Sequence, residues 1–270
     1  MLKTFSFVLA ALLMCGSVIE GNQSAIVPIV DLKALEPGCF LGASRDGKWI
    51  ASDDASLNTL GERSYRFYSL TGEAGATTGS KPYNAGAPCE ETKEVKFSPA
   101  PPASATIAFG GEWNPMPRAV KVQSTGQTVY QQVVAAFLKS KGIANPRINL
   151  AQVIRVDLEG DGTEEVILSA STFKEGHVTP DAKAGDYSVV LMRKVIAGKA
   201  ETIVIYGEYY PRAKEFNAPN WCGVSAILDL NGDGRMEIVV HGGYYEGSWT
   251  TVYNIDGKKI EEALGCGCGA

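Results

Sequence analysis

Two acidic nonapeptides of one design, residues 157–165 (DLEGDGTEE) and 229–237 (DLNGDGRME), restrict the possible folds of this chain more than any other feature. Each places an oxygen-bearing side chain at its first, third, fifth and ninth positions and a glycine at its sixth, between apolar, strand-prone runs. Carboxylates crowded into one turn repel each other unless a hard cation lies among them. Ca2+ takes about 6–8 oxygen ligands, carboxylates and carbonyls included. The candidate ligands are Asp157, Glu159, Asp161, the Thr163 carbonyl and Glu165 in the first loop. In the second they are Asp229, Asn231, Asp233, the Arg235 carbonyl and Glu237. Gly162 and Gly234 supply the backbone freedom that closes the turn.

The flanks repeat as well. Residues 153–156 enter the first loop and 166–168 leave it; 187–192 and 202–206 then predict a hairpin around Gly198. In the second unit, 224–228 enter, 238–240 leave, and 249–255 and 258–263 pair across Asp256-Gly257, a strong hairpin dipeptide. Each unit reads as strand, acidic loop, strand, linker, strand, turn, strand. An EF-hand would need a glutamate at the twelfth position and a helix after it. Leu168 and Val240 stand there instead, inside strand-prone runs. The loops resemble the calcium loop of the FG-GAP/VCBS repeat family, the blades of integrin α-chain propellers, with glutamate in place of aspartate at the ninth position. That resemblance covers roughly residues 153–171 and 224–243 and implies Ca2+ as the ligand of the ten residues named above.

The expected fold is mainly β, made of antiparallel, blade-like (partial propeller-like) units with one α-helix. Tyr130, Val133, Val134, Phe137 and Leu138 share a helical face, and Gly142 suits a C-cap. The domain plan is a signal peptide at 1–21, an N-terminal β-rich region at 22–125, and at 126–270 the helix with the two repeated units. In the N-terminal region Asp46-Gly47 predicts a hairpin, 64–70, 94–97, 106–109 and 119–122 predict strands, and 72–86 and 98–104 read as loops.

Lys3 followed by the apolar run 5–14 and small residues reads as an export signal, too short to span a bilayer. The protein is therefore expected to be secreted or periplasmic. Leu12-Leu13-Met14-Cys15 also resembles a lipoprotein box, which would anchor the chain in the envelope through Cys15. Five cysteines follow: Cys39, Cys89, Cys222, Cys266 and Cys268. In an oxidising compartment the expectation is two disulfides and one cysteine left over, the tail joined to Cys222 or Cys89 and no Cys266–Cys268 bond.

A net charge of −5 argues against nucleic acid, which demands a basic face. No nucleophile, zinc, P-loop or dinucleotide fingerprint is present, and the two histidines, His177 and His241, stand outside any such motif. Tyr209, Tyr210, Trp221, Tyr244, Tyr245 and Trp249 suggest either a stacking platform or strand packing. The expected function is calcium-stabilised, non-catalytic binding of a protein or glycan. The alternatives are a hydrolase of envelope polymers and a structural lipoprotein.

Overall fold

The computed structural model describes residues 25–269; the expected signal segment and Cys15 lie outside them. Three antiparallel sheets and one α-helix make up the fold. The first sheet has nine strands: β1 (Val27–Asp31), β2 (Cys39–Arg45), β3 (Lys48–Ala51), β4 (Arg63–Ser69), β5 (Gly72–Gly79), β6 (Tyr83–Asn84), β7 (Lys93–Glu94), β8 (Phe97–Ser98) and β9 (Ile107–Phe109). The order β6-β7-β2-β1-β9-β4-β5-β8 makes it a non-sequential sheet. The expected β2–β3 hairpin turns on Asp46 and Gly47, both at positive φ (52° and 72°). The expected loop at 72–86 instead begins with β5, whose weak strand formers are held by a ladder to β4 running from Arg63↔Gly79 to Ser69↔Gly72.

The two predicted units are each four-stranded meanders. β10 (Lys121–Val122) edges the first, which continues through β11 (Leu150–Val156), β12 (Glu165–Ser171), β13 (Tyr187–Ile196) and β14 (Lys199–Tyr209). The second is β15 (Trp221–Leu228), β16 (Glu237–Gly243), β17 (Gly247–Asp256) and β18 (Lys259–Gly269). The final hairpin pairs Asp256 with Lys259, so its turn is Gly257-Lys258, one residue beyond the expected dipeptide. The helix α1 (Thr128–Ser140) ends in a Schellman motif: Ile143 N donates to Leu138 O and Gly142 N to Lys139 O, with Gly142 at φ 91°.

Alternation along the strands sorts their side chains into layers. Val134 and Leu138 of α1 pack on Val153, Leu168, Val189 and Leu191, the outer face of the second sheet. Its inner face, with Ile154, Ile167, Val190 and Met192, meets Val224, Ile227, Ile238 and Val240 of the third. The opposite face of the third, with Leu228, Val239 and Val252, packs on Ile29, Leu41, Ile107 and Phe109 of the first. The third sheet is therefore sandwiched, and all seven residues of β16 are buried. Gln152 joins equivalent points of the two units, its amide exchanging bonds with Val224 N (2.8 Å) and Val224 O (2.9 Å).

Candidate metal centre in the paired acidic loops

The two loops share one hydrogen-bond scheme, and it follows from their sequence. The first aspartate folds the turn around itself. Asp157 accepts from Gly160 N at 2.7 Å and Gly162 N at 2.9 Å; Asp229 accepts from Gly232 N at 2.7 Å and Gly234 N at 3.1 Å. Gly162 and Gly234 sit at φ 86° and 87°, a conformation that a Cβ disfavours. The fifth residue caps the seventh: Asp161 accepts from Thr163 N at 2.7 Å and Asp233 from Arg235 N at 2.8 Å. The leucine at the second position, Leu158 or Leu230, is buried in the core, and its N–H donates to the ninth-position glutamate, Glu165 or Glu237.

The loops lie side by side. Met236 N donates to Leu158 O at 2.9 Å. Arg118 donates to Asp157 O, to Leu158 O at 2.8 Å and to Gly234 O at 2.8 Å, stapling both turns with one guanidinium. Trp113 covers the second loop, its indole N–H donating to Asp229 O at 2.9 Å.

The electrostatics of the two loops diverge. In the first, the buried Lys194 places Nζ 2.6 Å from Glu159 Oε2 and 3.1 Å from Glu165 Oε1. Burial alone would lower the pKa of this ammonium, but the hydrogen bonds to Glu159 and Glu165 outweigh it and hold the group above its ordinary value. Desolvation likewise pushes Asp157 up, and three backbone N–H donors with Arg118 more than reverse it. This loop has a cation of its own, supplied by the chain.

Among the described residues no lysine forms an ion pair with the second loop, and its own Arg235 is paired outward with Asp256 at 2.8 Å. Desolvation holds the Asp229 carboxyl above its usual range. Glu237 is driven up much further, first by burial and then by the charges of Asp233 and Asp229. Its Oε1 is buried with no hydrogen-bond partner. Asn231 binds Asp233 twice, through Oδ1 from Asp233 N at 3.0 Å and through Nδ2 to Asp233 Oδ2 at 3.2 Å. Among the described residues, no three His, Cys, Asp or Glu side chains converge as a ready-made metal cage. A cation held here would therefore draw on Asn231 and main-chain oxygen as well as on carboxylates. The orphaned oxygen of Glu237 and the hard donor set fit Ca2+.

The other expected chemistry resolves into structure. Disulfides join Cys39 to Cys266 and Cys89 to Cys268. Cys222 is free and buried beside Ser188 Oγ, its thiol pushed up to about 12 by burial; the tail is joined to Cys89, one of the two expected partners, and to Cys39, which was not expected, and not to Cys222. His241 is buried, with Nδ1 3.0 Å from Trp249 O, and His177 is exposed. Several of the aromatics are tied down by packing: Tyr206 stacks on Trp249 at 5.0 Å, Trp249 donates to Asn220, and Tyr206, Tyr210 and Asn220 all donate to Glu208. Tyr245 remains exposed. No helix among the described residues is long and apolar enough to cross a membrane. Compared with known proteins, the chain matches no family model, no curated protein and no solved structure.

Proposed function

We propose that this is an exported, calcium-stabilised, non-catalytic binding module, and that its 229–237 loop holds the ion. The observation that carries the reading is Glu237 Oε1, buried beside Asp229 and Asp233 without a partner. A buried polar oxygen without a partner costs roughly 1–3 kcal/mol, and a divalent ion would satisfy that oxygen and favour the ionised carboxylate that burial disfavours. The first loop has Lys194 in this role, so the expected stoichiometry is one ion. Extracellular calcium modules bind weakly; at a tenfold excess of Ca2+ over Kd the ion contributes about 1.4 kcal/mol. It acts as a staple for the loop rather than as a sensor.

Two disulfides fit an oxidising compartment, and with the N-terminal apolar segment they support export. The partner class is a protein or glycan of the envelope or extracellular space. The hydrolase reading draws less support: Glu36 and Glu175 border one cavity of about 900 Å3, but both are exposed. A glycosidase acid needs an environment that raises its pKa. Thermal melting in EDTA and then in excess Ca2+ tests the proposal: the midpoint should rise on calcium addition, and an unchanged midpoint refutes it.

A further inference from the structure

A cleft at one end of the first sheet has chemistry opposite to that of the acidic loops. It encloses about 950 Å3, toward the upper end of small-molecule pockets. Arg45, Arg63 and Arg66 all line it. Register brings the first two together. Val27 pairs with Ser44, so the next step sets Arg45 across from Ile26, and Arg63 Nη1 donates to Ile26 O at 2.6 Å. Arg66 is fixed by Gly111 O at 2.9 Å and by Trp113 O, over the rings of Tyr68 and Phe109.

Among the described residues, none of these guanidiniums forms an ion pair. The Nε of Arg45 and of Arg63 is buried with no hydrogen-bond partner. Asp46 and Glu112 also border the cleft, but both are exposed and neither reaches an arginine. Three guanidiniums, none of them ion-paired, are thus gathered in one cleft of a chain whose net charge is −5; the exposed Asp54, held below its usual range first by Ser56 and lastly by the Arg45 charge, is not part of the lining. Guanidinium stays charged at any working pH and offers a planar fork that matches carboxylate and phosphate oxygens.

We propose that this cleft binds a small anionic ligand through a phosphate or carboxylate group, gripped by Arg45 and Arg63, with its body against Trp113. Arg66, committed to the 111–113 backbone, contributes field rather than contact. The proposal goes beyond the cation reading and does not rest on it, although Asn231 and Gly232 form part of the same wall.

Calorimetric titration of the full chain, at constant calcium, with glucose 6-phosphate, glucuronate and glucose tests it. At least one of the two anions should bind and glucose should not; which anion binds more tightly identifies the head group. Among the described residues the Arg45 side chain makes no hydrogen bond, so Arg45→Gln should keep its melting temperature while weakening the anion by about tenfold or more. Arg63→Gln should weaken it similarly. Three results would each overturn the proposal: no anion binding up to about 10 mM, equal binding of glucose, or undiminished affinity in folded Arg45→Gln. Binding that appears only in Glu112→Gln would identify Glu112 as the built-in counter-ion, and would overturn it as well.

Discussion

Lys194 stands across the β12–β13 ladder from Glu165, its Nζ 3.1 Å from Oε1, and Asn254 holds the matching place across from Glu237. The registers Val166↔Arg193 and Ile238↔Tyr253 make the two positions equivalent, one step further along each ladder. One repeat therefore carries an ammonium where the other has a neutral amide.

Exchanging these residues should exchange the metal response. Lys194→Met leaves Glu165 buried without its partner and should cost about 3–5 kcal/mol in EDTA, part of it recovered with Ca2+. Asn254→Lys should raise the melting midpoint in EDTA and abolish the calcium shift. Fluorimetric melting of both variants, with and without Ca2+, measures this; an unaltered calcium response in Asn254→Lys would count against the assignment of the second loop.

Glu237→Gln offers an independent check. The amide keeps an oxygen for Leu230 N–H but cannot ionise, so it offers no carboxylate to a cation. Stability in EDTA should hold or increase, and the calcium-induced rise in midpoint should disappear. Asp229→Ala should lose the same rise, and should also be less stable, because Gly232 N and Gly234 N lose their acceptor.

The disulfides should dominate thermal stability. They close separations of 227 and 179 residues and fasten β18 to the first sheet. Replacing either pair by serine should cost roughly 2–5 kcal/mol, seen as a lower midpoint in urea; a change within error for both pairs would show that the sheets hold β18 unaided.

Acid stability should hinge on two opposing groups near Lys33. Asp31 is fully buried, and its carboxyl, accepting from Lys33 N and Ala34 N, is raised by burial from 3.8 to about 6. Stability from its protonated form is complete below 3.8 and lost as pH rises through about 6. Burial lowers His241 from 6.5 to about 4, so stability from its neutral ring is complete above 6.5 and lost as pH falls through about 4. Each amounts to roughly 3 kcal/mol, and across the range the two windows share, from about 4 to about 6, they largely cancel. Asp31→Asn should add up to roughly 3 kcal/mol at pH 7 and expose the histidine slope, with stability falling steadily from 6.5 toward 4. A chemical-denaturation series across that range gives the curve; a flat one would mean His241 stays hydrated.

Both meanders, the helix and the acidic loops were legible in the sequence because local rules set them: a glycine in each closing turn (Gly198 and Gly257), a period of two, a glycine C-cap. The β5 strand was not, since Gly72, Ala74, Gly75, Ala76 and Gly79 have weak strand propensity and only the ladder to β4 holds them extended. The cation role of Lys194 was equally hidden, because it depends on register between strands. A comparison of the two repeats at equal ladder positions, Lys194 against Asn254, carries that signal. The arginine cleft gathers residues from β2, β4 and a sheet order that no short-range pattern encodes.

The sandwiched third sheet has a bearing on how the chain can be divided. Its neighbours cover it from both sides, so neither repeat is a detachable bead: excising 221–269 would bare two apolar faces at once. Amide exchange should accordingly be slowest along β16, at the depth where every layer of the molecule depends on the next.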